Sequence, residues 1–180
     1  TLDRSGNIYI AGFTASNLTG TNTNNQKDAF ILKLTPNSDD TSVDLQWIYH
    51  LNSNSESESG VSDTSDSDLC VSVAVGINND VYCVGHTIGH LSGTNNPDDS
   101  GNTNDAFILK VRADNGVFQE LTHYNFDQAP FPSNYPSGTT TGDDFFKRIT
   151  IDSSGVMHIA GSSKNFLDGL GDVDILLLKY

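Results

Sequence analysis

Two short phrases recur three times along this chain, and a unit that must pack against copies of itself leaves few folds open. The first phrase is GNIYIAGFT (Gly6 to Thr14), which returns as NDVYCVGHT (Asn79 to Thr87) and as GVMHIAGSS (Gly155 to Ser163). The second is DAFILKL (Asp28 to Leu34), which returns as DAFILKV (Asp105 to Val111) and as DILLLKY (Asp174 to Tyr180). Each phrase is short, apolar on both faces of an extended chain and bounded by Gly, Asn, Asp or Ser, which is the pattern of buried β-strands joined by turns.

Each unit adds two further strands. Thr1 to Asp3 reads as the tail of a first strand, which the third unit carries in full as FFKRITID (Phe145 to Asp152) and the second as Leu69 to Gly76. A fourth strand follows as Leu45 to Leu51 and as Phe118 to Tyr124, with Gln46 in register with Gln119 and His50 with His123. The repeated histidine, in a repeated outer strand, reads as a structural or edge residue. The units therefore divide as 1–68, 69–144 and 145–180, the last with three strands and no fourth. Asn7 to Phe13, with Ile8 and Ile10 alternating with Tyr9 and Ala11, is expected to be buried on both sides.

Four short antiparallel strands per unit, with both faces apolar, describe blades of an all-β propeller. Propellers close with about four to eight blades, so three units leave apolar faces or sheet edges open to water. The expectation is part of a larger propeller or assembly, completed by further blades or by neighbouring copies of the chain. Starting at Thr1 without an initiator methionine, the sequence reads as a processed chain or a fragment.

The 23 acidic residues against 9 basic ones give a formal charge of −14. Such a surface repels phosphate backbones, which excludes a nucleic-acid partner, and it keeps an exposed protein soluble. No apolar run reaches the eighteen or so residues of a membrane span. The connections Ala15 to Lys27, Asn52 to Asp68, His86 to Asn104 and Asn125 to Asp144 are long and polar, the last with Pro130, Pro132 and Pro136. They offer the variable surface on which a protein or glycan ligand would be met. Asn17 heads the Asn-Leu-Thr acceptor triplet for N-glycosylation.

Cys70 and Cys83 lie on neighbouring strands, too few for a disulfide scaffold or a zinc site. Simple alternation puts Val71, Val73 and Val75 on one face and Cys70, Ser72 and Ala74 on the other. A turn over Gly76 to Asn79 that pairs Val75 with Asp80 sets Ser72 opposite Cys83 and leaves Cys70 diagonal to it, too far for a relaxed bridge. A tighter turn over Gly76 and Ile77 sets the sulfurs opposite each other. Both registers remain open.

The Asp-x-x-Gly turns Asp3-Arg4-Ser5-Gly6 and Asp152-Ser153-Ser154-Gly155, with Gly12, Gly85 and Gly161, Asp28, Asp105 and Asp174, and Lys33, Lys110 and Lys179, make a composite pattern. It resembles the bacterial-type β-propeller repeat family often labelled SBBP, the seven-bladed propeller repeat. Gly76-Ile77-Asn78-Asn79 departs from it at the second turn. The resemblance implies a secreted or cell-surface protein whose propeller is a scaffold for binding or adhesion.

No nucleophile elbow, HExxH or phosphate loop occurs, and a non-enzymatic role is expected. His86 and His90 fall in a glycine-flanked loop, where their spacing does not align two imidazoles on a metal. Asp63, Asp66 and Asp68, with Asp98, Asp99, Asp143 and Asp144, are weak calcium candidates without a calcium-loop spacing. Asp28, Asp105 and Asp174 read instead as structural carboxylates that accept amides from the adjoining loops. Tyr9, Tyr82 and His158 share one repeat position and are expected to pack between blades. The alternative to a scaffold is a carbohydrate-binding or carbohydrate-active propeller with its site on the long loops.

Overall fold

The computed structural model describes residues 1–16, 18, 27–39, 41–51, 67–88, 103–124, 126, 142–164 and 173–180. Within them, ten strands form three antiparallel sheets and no helix longer than a single turn occurs. Strands β1 (Ile8–Thr14), β2 (Asp28–Pro36) and β3 (Val43–Leu51) make the first sheet in that order. The middle sheet holds β4 (Asp68–Val75), β5 (Asp80–Thr87), β6 (Asp105–Arg112) and β7 (Phe118–Tyr124), and the third holds β8 (Asp144–Ile151), β9 (Met157–Lys164) and β10 (Val173–Lys179). The expected first strand of the first unit is reduced to one bridge, Leu2 with Ile8.

The turn between the first two strands of each unit shows why its residues recur. Asp3 accepts backbone N–H groups of Ser5 at 2.8 Å and Asn7 at 2.9 Å, and Asp152 accepts those of Ser154 at 2.9 Å and Val156 at 3.0 Å. Gly6 and Gly155 take φ of 82° and 89°, a left-handed conformation that costs a side chain energy. The second turn departs in sequence but keeps the backbone: Asn79 stands at the glycine position with φ of 60°, which asparagine tolerates.

Bulges recur as faithfully as turns. The β4–β5 register shifts between Cys70 and Ser72, and the β8–β9 register shifts at the matching place between Phe146 and Arg148. A bulge adds one residue, so side chains before it change face. Cys70 therefore joins Val73 and Val75 on the face toward the first sheet, which corrects the simple alternation. Opposite each bulge stands a glycine, Gly85 or Gly161, where a Cβ would overlap the carbonyl oxygen of Leu69 or Phe145. Gly12, with no such strand beside it, meets only the Phe30 ring, at 3.1 Å.

The core lies between sheets. Tyr9, Ala29 and Ile31 of the first sheet pack against Cys83, Phe107 and Leu109 of the middle one. On its other face, Val84, Ala106 and Ile108 pack against Phe146, Met157 and Ile159 of the third. The middle sheet is thus covered on both sides, and β5 and β6 bury alternate residues in opposite directions. β1 departs from its expectation: Tyr9 is buried, but Ile10 on the opposite face is 42% exposed, and no sheet of the described residues lies there. Adjacent sheets are also joined by matching backbone bonds, Asp68 N–H to the Lys27 carbonyl and Asp144 N–H to the Asn104 carbonyl.

Candidate functional site

The five polar segments between β1 and β2, β3 and β4, β5 and β6, β7 and β8, and β9 and β10 all connect strands at one end of the sheets. The opposite end carries only the short turns. Under the long connections runs a row of polar residues that the repeat places at strand ends. In the middle sheet Asp68 stands opposite Thr87, and Thr87 opposite Asp105. In the third sheet Asp144 stands opposite Ser163, and Ser163 opposite Asp174. In the first sheet Thr14 stands opposite Asp28.

Two histidines complete this row. His50 Nε2 lies 3.4 Å from Asp28 Oδ2 in the first sheet, and His123 Nε2 lies 3.3 Å from Asp105 Oδ2 in the middle one. Both pairs are closed to solvent. The sequence marks each member as a repeated residue without joining them, since the contact crosses from the third strand to the fourth. Burial pushes the Asp28 carboxyl above the ordinary carboxylate range, with the His50 imidazole pulling the other way. A catalytic dyad needs an approach for substrate, and here both members are covered by the sheets they belong to. The arrangement clasps the outer strand to its neighbour at the end of the sheets where the long connections attach.

Backbone amides are accepted by Asp144 at the start of β8 and by Asp143 just before it. Asp144 Oδ2 accepts the Phe126 N–H at 2.8 Å, and Asp143 accepts the Asn104 N–H at 2.9 Å. The net result at Asp143 is a lowered pKa: burial opposes it, but the Asn104 hydrogen bonds prevail. Asp68 is buried at the start of β4 rather than displayed on a loop. Asp63, Asp66, Asp98, Asp99, His90 and Asn17 lie outside the described residues. Among the described residues, no three His, Cys, Asp or Glu side chains are grouped to hold a metal ion. His86 packs edge-on against the Phe145 ring at 4.7 Å between centroids, and burial, aided by Lys147 and opposed by Asp143, lowers its pKa to about 4.

The repeated lysines serve the other end of the sheets. Lys33 Nζ donates to the carbonyl of Ala113, in the turn between β6 and β7, at 2.9 Å, beside the Trp47 indole N–H that donates to the same oxygen at 3.2 Å. Lys110 Nζ lies 3.1 Å from Asp80 Oδ2, while Lys179 is exposed. Tyr9 packs between the first two sheets and donates its hydroxyl to Asp3 at 3.0 Å. Tyr82 packs at the next interface, and His158, on the outer face of the third sheet, approaches Asp152 at 3.2 Å. Ser154 and then His158, with the Val156 N–H, hold the Asp152 carboxyl well below the usual range.

Cys70 and Cys83 form a disulfide, with 5.9 Å between their Cα atoms. On the Cys70 side of the bulge the register is that of the first alternative, with Cys70 opposite Gly85 and diagonal to Cys83, while beyond it Val75 pairs with Val81, which sets Val73 opposite Cys83. The bulge brings Cys70 to the same face, so a diagonal pair falls within bridging reach. The matching residues of the third sheet, Phe146 and Ile159, belong to one apolar cluster.

The described residues thus offer a floor, a set of closed polar clasps and a cross-link, all built from the repeat. A scan against protein-family models and a search of curated proteins match nothing to this chain, so its functional reading rests on this geometry.

Proposed function

We propose that the three sheets are consecutive blades of a β-propeller, and that the chain is a non-enzymatic scaffold of the extracellular space or cell surface that holds partners at its long-connection end. The observation that carries this reading is the one-ended placement of the long connections above a floor of buried Asp, Thr, Ser and His. A stiff base with variable polar segments on one side suits recognition of a protein or glycan surface. The repeated sheet-to-sheet hydrogen bonds support the blade assignment, and the disulfide supports an oxidising compartment. Adhesion and structural support follow from such a module.

The test is made on the source cells and with the purified chain. Membrane-impermeant labelling is expected to tag the chain with Cys70 and Cys83 oxidised, and beads coated with the chain are expected to attach to the cells or to their matrix. A chain confined to the cytosol with free thiols overturns the extracellular assignment. Turnover of a sugar panel by the purified chain overturns the non-enzymatic one, and saturable binding on a glycan array identifies the partner class as carbohydrate.

A further inference from the structure

The turn between β6 and β7 carries a contact between sheets at the short-turn end. Its Ala113 carbonyl accepts the Lys33 ammonium at 2.9 Å and the Trp47 indole N–H at 3.2 Å, both from the first sheet. Just beyond Ala113 stands Asn115-Gly116, the one Asn-Gly pair in the sequence. Gly116 faces the Trp47 ring, and a Cβ built on it would come within 2.7 Å of the indole.

Asn115 is exposed, and its side-chain carbonyl accepts the Val117 N–H at 3.1 Å. A side chain bonded to the backbone two residues on closes over the peptide nitrogen between, which here belongs to Gly116. Gly116 has no Cβ to shield that nitrogen. The same N–H donates to the Arg112 carbonyl at 2.9 Å, so the nitrogen can react only when the turn opens. The Trp47 ring and the two bonds to Ala113 oppose that opening.

We propose that Asn115 is a self-modifying site, converting to isoaspartate, and that docking of the first sheet on this turn sets its rate. The Gly116 nitrogen gives its proton to hydroxide or water and forms a bond to Asn115 Cγ. The Cγ–Nδ2 bond breaks, and Nδ2 leaves as ammonia, so that a cyclic succinimide remains. Water then opens the ring. Attack at the main-chain carbonyl leaves the chain running through Cγ as isoaspartate, and attack at Cγ gives ordinary aspartate. Only water is consumed. Isoaspartate lengthens the turn by one methylene and sets a carboxylate beside Asp114, which displaces the Ala113 carbonyl from its two donors.

Incubation of the oxidised chain near neutral pH at body temperature, followed by peptide mapping, tests this. The segment bearing Asn115 is expected to exchange NH2 for OH, mostly as isoaspartate. Because only the opened turn reacts, the rate is expected to be at least about tenfold below that of a synthetic peptide of residues 111–119. Trp47→Leu and the milder Lys33→Met each remove one donor to Ala113 and are expected to speed conversion several-fold. Trp47 is the single tryptophan, so its emission reports docking. The isoaspartate fraction, separated by ion exchange, is expected to be more open to iodide quenching than fresh chain. Asn115→Asp adds the charge without lengthening the backbone and is expected to keep Trp47 shielded.

A folded chain that stays unconverted while the peptide converts overturns the site. Conversion at the wild-type rate in both Trp47→Leu and Lys33→Met overturns control by docking. An isoaspartate fraction whose Trp47 is quenched no more than that of Asn115→Asp overturns the effect on the interface.

Discussion

At the scale of single residues, the polar groups inside these sheets act as fasteners. Asp105 and His123 are buried together, and removing one leaves the other in a site that water does not reach. Asp105→Ala and His123→Ala are each expected to destabilise the chain by about 1–3 kcal/mol, and the double variant by clearly less than their sum. Urea unfolding of the three variants checks this, and strict additivity would exclude a coupled pair. His86 makes a different prediction, because burial favours its neutral form. Its pKa falls from 6.5 unfolded to about 4 folded, so as pH drops through that window the unfolded chain binds a proton that the folded chain does not. Stability is then full above pH 6.5 and declines toward pH 4. His86→Phe, which installs the residue found at the matching Phe13, is expected to flatten that part of a melting-temperature profile. The repeated Asp and His positions were legible from sequence, but their partnership was not, since it depends on a third-to-fourth strand register that a bulge at Lys33 and Leu34 shifts.

At the scale of elements, strand number, order and turn positions follow from the alternation of apolar runs with Gly, Asn and Asp. The bulges do not, because an extra residue leaves no mark on composition while reversing every face before it. That one residue at Val71 decides whether Cys70 and Cys83 meet. Their bridge closes a short loop across the β4–β5 hairpin, and replacing both by alanine is expected to lower stability by about 2–4 kcal/mol. Introducing Cys70→Phe with Cys83→Ile, the residues of the third sheet, should recover part of the loss through packing. Chemical denaturation of the two double variants separates cross-linking from burial, and equal stability of both would deny packing a share. β1 shows the complementary limit: an apolar strand tells what a face needs, and the surrounding chain decides whether the need is met.

At the scale of the whole molecule, the described sheets pack first on middle and middle on third, as in other repeat architectures where stability is a sum of units and interfaces. The middle sheet alone has two such interfaces among the described residues. Amide exchange followed by mass spectrometry is expected to be slowest in β5 and β6, and faster in β1, β2, β9 and β10. Equal protection across all three sheets would contradict a neighbour-by-neighbour stack. The same arrangement determines how the chain bears load. Tension applied at its two ends can peel the outer sheets strand by strand, but the 13-residue separation spanned by the disulfide stays closed. Some 40 Å of thread is thereby withheld, at about 3.3–3.6 Å per extended residue. A module used for attachment would stretch less before its central layer gave way, and a reducing environment would release that slack.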